Sequence, residues 1–238
     1  MAHPSRGIGS VAAALAMVGV LGTGCSVVSK VRNAVHNVEG NKATIDSFTQ
    51  NLQSGQSTAF AATYSTTGSA PATVVYAVDP SSGGLAFHDT QTGANASNLQ
   101  LIVNSSGEYA CNLSGLGAAW SCEKLGQTAA ASQNKVFDLY TPAHWIGFLK
   151  GVSLVAGLAG DKVTSSTMSL NGFTMNCVDL VAPGVPGTST ICSTSQGILG
   201  YAKVASDSTS FQITNYSSSP SASLFQLPPG ATVTTATT

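Results

Sequence analysis

Charged residues are scarce in this sequence. Asp, Glu, Lys and Arg make up 8% of the 238 residues, and nine Lys plus Arg against ten Asp plus Glu leave a formal net charge of -1. The chain therefore lacks the basic stretch with which nucleic-acid-binding proteins displace counterions from phosphates. Disorder of the whole chain is also excluded, because 43% of the residues are hydrophobic. Ser, Thr, Asn and Gln must keep the protein in solution, and this composition is typical of exported proteins.

Catalytic motifs are absent as well. The sequence contains no nucleophile elbow, Walker loop, His-Glu-x-x-His motif or run of paired carboxylates. Outside the first 24 residues, the only histidines are His36, His88 and His144. His88 and Asp89 form the most enzyme-like pair, but neighbours on a strand point to opposite faces of a sheet. His144 lies in the first turn of a predicted helix, where a capping or lid role fits it best.

Two further carboxylates, Glu108 and Asp179, are predicted to be solvated groups at strand ends. A serine relay stays open as an alternative, because Ser is abundant and proximity in space cannot be judged from the sequence. We expect no enzymatic activity, no catalytic residues, no cofactor and no metal site.

The sequence has no Cys-x-x-Cys pair. Beyond Cys25 it contains Cys111, Cys122, Cys177 and Cys192, and an even count in an exported chain predicts two disulfides. Of the three possible connectivities, Cys111–Cys122 and Cys177–Cys192 are favoured because each pair lies in a predicted hairpin. Zinc and redox chemistry are the competing interpretations, and the wide spacings disfavour both.

The first 24 residues are predicted to be a targeting segment. His3 and Arg6 precede an apolar run over 11–21, and small residues then lead to Cys25. The run is too short for a transmembrane helix, which needs roughly 20 apolar residues. Gly22-Thr23-Gly24-Cys25 resembles the lipobox of bacterial lipoproteins. A secretory peptide that is cut nearby, leaving Cys25 as a free thiol, is the alternative.

If the lipobox functions, Cys25 becomes the mature amino terminus and carries a diacylglyceryl thioether, with palmitate among the expected acyl chains. Two acyl chains hold a protein stably at a membrane, whereas one does not. We therefore expect a protein anchored by lipid to the extracytoplasmic face of the cell membrane.

The mature chain is predicted to begin with a tether and helix over 25–57. Ile45, Phe48 and Leu52 recur at three- and four-residue steps within 44–53, which indicates one face of a helix that ends at Gly55. Residues 26–40 either continue this helix or form part of the tether.

From residue 58 onward the composition changes: short runs rich in Val, Ile, Thr and Tyr are separated by Gly, Ser, Asn and Pro. These runs predict antiparallel strands joined by hairpins. The candidate strands are 58–66, 72–79, 84–90, 98–104, 107–112, 118–123, 163–170, 172–179, 188–193, 197–205 and 209–216.

A helix is predicted over 142–159. Thr141 suits its N-cap, Pro142 suits its first turn, and Lys150 is its only formal charge. A helix that is apolar nearly all round is buried or lies in a membrane, and its central charge and its glycines disfavour the membrane. We expect it to pack into the concave face of the sheet. A plain core helix with no cavity beneath it is the alternative.

The carboxyl end is predicted in two parts. Residues 224–231 are predicted to form a final extended apolar segment that ends at proline. The polar tail over 232–238 is expected to fray.

The order of these features is similar to that of the LolA/LppX-like lipoproteins of the bacterial envelope, particularly those of actinobacteria. The resemblance rests on the lipobox, the strand string interrupted by one apolar helix, and the ending Phe225-x-Leu227-Pro228-x-Gly230-Ala231. The Tyr109-x-Cys111 and Trp120-x-Cys122 motifs and the run 192–199 resemble an uncharacterised branch of those proteins.

The resemblance implies an α+β fold over 58–231: a large curved antiparallel sheet, or half-barrel, with helices packed on its concave face. It implies a monomer that binds a lipid or a lipidated molecule in an apolar cavity, with possible transfer across the envelope. The residues expected to line the cavity are Phe60, Tyr64, Val74, Tyr76, Leu101, Val103, Trp145, Phe148 and Leu149. A non-catalytic envelope sensor or scaffold that binds another protein is the alternative, and a sheet filled by its own helix would favour it.

Overall fold

The structure is a computed structural model that describes residues 24–68, 71–91, 97–113, 118–126, 137–159, 162–205 and 209–235. For residues 24–38 and 153–159 it describes the backbone only. The predicted targeting segment over 1–24 therefore lies outside the described residues except for Gly24, and so does the side chain of Cys25.

Two α-helices occur in the described residues. Helix α1 spans Gly24–Gly55, and helix α2 spans Pro142–Ala159. The predicted helices over 44–53 and 142–159 are thus confirmed, as is the end of the first one at Gly55. Residues 26–40, which the sequence left undecided, are helical. Neither helix is long and apolar enough to cross a membrane within the part of the chain that is described.

Twelve strands are described, and eleven of them correspond to the candidates from the sequence. They are β1 Phe60–Thr67, β2 Ala72–Asp79, β3 Gly84–Gln91, β4 Ser97–Asn104, β5 Gly107–Leu113, β6 Ser121–Lys124, β7 Lys162–Leu170, β8 Phe173–Val181, β9 Ser189–Thr194, β10 Leu199–Lys203, β11 Ser210–Ser217 and β12 Thr232–Thr235.

The strands form one open sheet in the order β12-β6-β5-β4-β3-β2-β1-β11-β10-β9-β8-β7. Two antiparallel meanders, β1 to β6 and β7 to β11, are joined where β1 pairs with β11. Only β12 is parallel to its neighbour, β6. The α+β class and the mostly antiparallel open sheet are therefore confirmed.

The hairpin between β7 and β8 shows how local sequence sets the register of the sheet. Asn171 and Gly172 both have positive φ, at 52° and 81°. A two-residue turn of this kind matches the right-handed twist of the flanking strands and favours Asn-Gly. All nine residues of β7 consequently pair with β8 without a shift in register.

The carboxyl end differs from its prediction. Thr232–Thr235 form β12, which pairs in parallel with Ser121–Lys124, so the expectation that this part of the tail frays was wrong. The segment 224–231 is also not extended throughout, because Ala222–Phe225 form a turn of 3-10 helix. Both differences arise from packing of this segment on the sheet, which no local pattern encodes.

The core lies where the helices meet the sheet. Ile45, Phe48 and Leu52 of α1 and Trp145, Ile146 and Leu149 of α2 belong to the same buried cluster as side chains from nine strands. The three α1 residues are the ones whose spacing predicted a helix. A second, smaller cluster of Tyr109, Cys111 and Cys122 is covered by Trp120, Leu227 and Ala231. The carboxyl-terminal segment therefore shields the opposite face of the sheet.

Both predicted disulfides are confirmed. Cys111 on β5 lies directly opposite Cys122 on β6, and Cys177 on β8 lies directly opposite Cys192 on β9. Each bond links neighbouring antiparallel strands within one hairpin. The bridges therefore reinforce a register that strand pairing already sets.

Candidate functional site

A row of aromatic rings crosses the helix-facing side of the sheet. Phe60 of β1 meets Tyr76 of β2 edge-on at 5.3 Å between ring centroids, and Tyr76 stacks on Phe87 of β3 at 4.5 Å. Phe87 in turn stacks on Phe137 at 4.7 Å. The strand period of two and the direct pairing of Tyr76 with Phe87 place these rings on one face. Each such contact contributes roughly 0.5–1.5 kcal/mol beyond its buried area.

A second aromatic group lies beneath α2. Phe211 of β11 contacts Tyr64, Tyr140 and Trp145 at centroid distances of 5.5, 5.1 and 6.3 Å. The indole Nε1 of Trp145 donates a hydrogen bond of 2.6 Å to the carbonyl oxygen of Leu139. This bond fixes the orientation of the buried Trp145 ring.

The hydroxyls in this region are neutral. Burial raises the pKa of Tyr64 and of Tyr76 well above the usual value for tyrosine. Burial, together with the negative charge of Asp89, raises the pKa of Tyr140 to about 12. The Tyr64 hydroxyl donates to the carbonyl oxygen of Leu199 at 2.9 Å. The three phenols thus present no charge to an apolar ligand at neutral pH.

Polar side chains form a hydrogen-bonded network at the N-terminus of α2. The Thr141 hydroxyl accepts a 3.4 Å hydrogen bond from the backbone N–H of His144, which confirms Thr141 as the N-cap. The Nδ1 atom of His144 lies 2.8 Å from Oδ2 of Asp138. The cap is therefore Thr141, and the His144 side chain joins the start of α2 to Asp138, so a capping or lid role for His144 stays a prediction.

The nine residues predicted to line a cavity differ in burial. Phe60, Tyr64, Val74, Tyr76, Leu101, Trp145 and Leu149 belong to the main core cluster, and none is more than 6% exposed. Val103 is half-buried and lies outside that cluster, and Phe148 is 38% exposed. Seven of the nine thus lie in one cluster, where they pack against one another and against further core side chains, and their role in ligand binding stays a prediction.

Openings remain at two edges of this core. A cavity of about 340 Å³ is bounded by Phe60, Tyr76 and Val78 of the sheet and by Thr141 and Pro142 at the start of α2. A smaller one of about 110 Å³ lies beside Phe148 and Val152, against Leu180, Val181 and Val185. Three of the nine predicted lining residues, Phe60, Tyr76 and Phe148, border these openings, and their role in ligand binding stays a prediction.

A third cavity was not predicted. It has a volume of about 660 Å³ and lies between α1 and strands β7 to β9. Its lining includes Ser47 and Asn51 from the helix and Ser165, Thr167 and Asn176 from the strands. The sequence did not predict this cavity because isolated Ser and Thr residues in strands are typical of positions that face solvent. The cavity arises only from the packing of α1 over these strands.

His88 and Asp89 point to opposite faces of β3. The His88 Nε2 donates to the carbonyl oxygen of Leu224 at 3.1 Å, on the face covered by the carboxyl-terminal segment. Asp89 lies on the opposite face, and burial raises the pKa of its carboxyl group. The expected separation of these neighbours is confirmed. The side chain of His36 lies outside the described residues.

Both predictions for the solvated carboxylates were wrong. Asp179 is half-buried within β8, where its Oδ1 accepts a 2.6 Å hydrogen bond from Thr190 and its Oδ2 accepts one from Ser166. It therefore ties β8 to both of its neighbouring strands. Glu108 is half-buried, and its Oε1 has no hydrogen-bond partner among the described residues. Over the same residues, no group of His, Cys, Asp and Glu is arranged to hold a metal ion.

Four aromatic residues of the site were not predicted. Phe87 and Phe211 alternate with other apolar residues on their strands, so a period-two reading of 85–87 and 211–213 would have found them. Phe137 and Tyr140 lie just before α2, in a segment with no periodic pattern. Their burial follows from tertiary packing alone.

No protein-family model matches the sequence, and no curated protein matches it.

Proposed function

We propose that this protein is an envelope lipoprotein of the LolA/LppX-like kind that binds the apolar part of an amphiphile between its sheet and α2. In this account the sheet is a half-barrel, the helices lie on its concave face, and Cys25 carries the lipid anchor on the extracytoplasmic side of the membrane. The protein carries no catalytic centre and acts by binding, with transfer of the bound molecule across the envelope as its further role.

One observation carries this proposal: two openings lie beside α2, one at its first turn and one at Phe148 and Val152. The 340 Å³ cavity reaches Phe60 and Tyr76, and the 110 Å³ cavity reaches Phe148. The sequence predicts all three as lining residues. A ligand that enters from either opening and follows the aromatic row would contact apolar side chains and uncharged tyrosine hydroxyls. Most small-molecule sites are lined in this way, by apolar side chains with a few polar groups.

Helix α2 has the features of a movable lid. Gly147 and Gly151 lie on its exposed side, with no neighbouring atom within 4 Å of the place where a Cβ would stand. Each glycine weakens a helix by roughly 1 kcal/mol relative to alanine. A displacement of α2 would join the two openings. Burial of an acyl chain stabilises the complex by about 0.8 kcal/mol for each CH₂ group. Over about a dozen carbons this gain offsets the contacts that α2 loses when it moves.

The closed core favours a second candidate. Seven predicted lining residues are at most 6% exposed, so the core that they form is closed in this conformation. A sheet filled by its own helix is the expected state of a sensor or scaffold that binds another protein through its surface. The two functions differ in whether α2 yields to a ligand.

A fluorescent fatty-acid probe separates the two. We expect wild-type protein to bind the probe at micromolar concentration and Phe148→Asp to weaken binding about tenfold or more, because the charge lies at the mouth of the smaller opening. Val233→Asp is the matched control, since Val233 is also exposed but lies on β12. Circular dichroism checks that each variant is folded. If wild type binds no probe, or both variants bind equally well, the carrier function fails and the scaffold function replaces it.

A further inference from the structure

We infer that the cleft between α1 and strands β7 to β9 is a binding site for a neutral, polyhydroxylated ligand, that is, for a carbohydrate. The cleft has a volume of about 660 Å³, within the range of roughly 300–1,000 Å³ that is usual for ligand sites. It is separate from the amphiphile site proposed above, because it shares no lining residue with the two openings beside α2.

At one end of the cleft, α1 is tied to the sheet by hydrogen bonds and a close backbone contact. The Nδ2 group of Asn51 donates to Oγ of Ser193 at 2.9 Å and to the carbonyl oxygen of Thr194 at 3.0 Å, which ties α1 to β9. One turn further on, α1 touches the β9–β10 turn so closely that a Cβ on Gly55 would lie 2.3 Å from the carbonyl oxygen of Gly197. These contacts hold the carboxyl-terminal end of α1 against the sheet, and the cleft extends from there towards Ala43.

The lining carries free hydrogen-bonding capacity. Within the described residues, the side chains of Ser47, Ser165, Thr167 and Asn176 make no hydrogen bond, although all four line the cleft. Ser193 is fully buried at its inner end, and its hydroxyl accepts from Asn51 but donates to no described group. A buried hydroxyl hydrogen without an acceptor is costly, so this donor favours a ligand or a water molecule in the cleft.

Charge selects the class of ligand. No charged side chain lines the cleft in the described part of the chain. On α1, Lys42 pairs with Asp46, and on β8 the carboxylate of Asp179 is engaged by Ser166 and Thr190. An anionic ligand would therefore find no cation, and a cationic ligand would find no free carboxylate. Hydroxyl and amide groups beside the apolar Phe48 and Val178 fit a neutral sugar ring, which has hydroxyls on its rim and C–H groups on its faces.

The test uses the full chain with Cys25→Ser, so that no detergent is needed, and follows binding by ligand-observed NMR. The probes are a panel of neutral mono- to tetrasaccharides that includes maltose, octyl maltoside below its micelle concentration, and glucose 6-phosphate as a charged comparison. We expect a neutral sugar to bind and the phosphate to bind more weakly. Binding of free saccharides indicates a soluble glycan, whereas binding of the octyl glycoside alone indicates the headgroup of a glycolipid.

Variants assign the binding to the cleft. Ser47→Trp fills the cleft from an exposed position on α1 and is expected to lower affinity about tenfold or more, while Gln53→Trp, also exposed on α1, leaves it unchanged. Thr167→Val removes one lining hydroxyl without a change of shape and is expected to weaken binding severalfold. Thr164→Val is its control on the other face of β7. Absence of binding by every neutral probe overturns the inference, and so does binding that Ser47→Trp leaves intact. Neither result affects fatty-acid binding beneath α2, so the two proposals fail separately.

Discussion

The hydroxyl of Tyr64 on β1 donates a buried hydrogen bond of 2.9 Å to the backbone carbonyl oxygen of Leu199 on β10. Strand β11 lies between these two strands in the sheet, so the bond spans the junction of the two meanders. Tyr64 is fully buried and also contacts Phe211 and Tyr140. It therefore connects β1, β10, β11 and the turn that precedes α2 at one point.

Tyr64→Phe should lower the free energy of unfolding by about 1 to 3 kcal/mol, because it leaves a buried carbonyl oxygen without this donor while the ring packing is kept. Tyr201→Phe is the matched control on β10, since the Tyr201 hydroxyl has no hydrogen-bond partner among the described residues, and its effect should stay within about 0.5 kcal/mol. Urea unfolding measures both. Equal stability of the two variants would contradict a structural role for the Tyr64 bond.

The two disulfides should differ in their contributions to stability. Replacing either pair with alanines should cost about 2 to 5 kcal/mol. All four cysteines are buried, so both replacements leave a cavity, and the Cys177–Cys192 pair should cost slightly more because it closes the longer loop, with a sequence separation of 15 against 11. Cys111–Cys122 lies in the small cluster on the opposite face. Denaturant unfolding of the two double variants provides the comparison, and a larger loss for Cys111–Cys122 would contradict this order.

His88 should make the protein less stable in mild acid. Burial lowers the pKa of its imidazole, although the hydrogen bond to Leu224 opposes this effect. The unfolded chain therefore binds a proton at His88 more readily than the folded one, so stability is lost as pH falls from the ordinary histidine range, about 6.5, through the lowered pKa. His88→Gln, which retains a donor towards Leu224, should flatten this part of the curve. Parallel curves of unfolding free energy against pH for wild type and variant would show that His88 does not contribute.

The strands could be predicted because their signals are local. The hairpins around Asn171-Gly172 and Pro80-Ser81-Ser82-Gly83 carry turn residues in the sequence, and the flanking runs alternate with the period of a strand. The cysteine pairing followed from two other predicted hairpins, β5–β6 and β8–β9. In each case the interacting residues lie close together along the chain.

The features that were missed depend on distant packing. Thr232–Thr235 form a strand only because the preceding segment crosses the opposite face of the sheet and reaches β6. Phe137 and Tyr140 fill the space beneath α2 from a stretch without periodicity, so the sequence predicted a lined cavity where the structure has a packed core. Asp179 appeared solvated because its partners, Ser166 and Thr190, belong to two other strands.

The anchor can be tested by fractionation. Cys25→Ser should move the protein from the membrane to the soluble fraction, because the lipid attached to Cys25 is the only membrane attachment that this account requires. Ser26→Ala is the neighbouring control and should remain at the membrane. A Cys25→Ser protein that still resists a carbonate wash would place the attachment elsewhere in the chain.

The most direct test of amphiphile binding is mass spectrometry of the protein purified from a bacterial host with a comparable envelope. The mass under native conditions minus the mass under denaturing conditions gives the mass of the molecules that are bound without a covalent bond. A covalent lipid anchor contributes equally to both masses and therefore cancels. The account predicts a difference that matches an acyl-bearing amphiphile and disappears in Phe148→Asp but persists in Val233→Asp. Identical native and denatured masses for the wild type, with no lipid taken up from added vesicles, would contradict it.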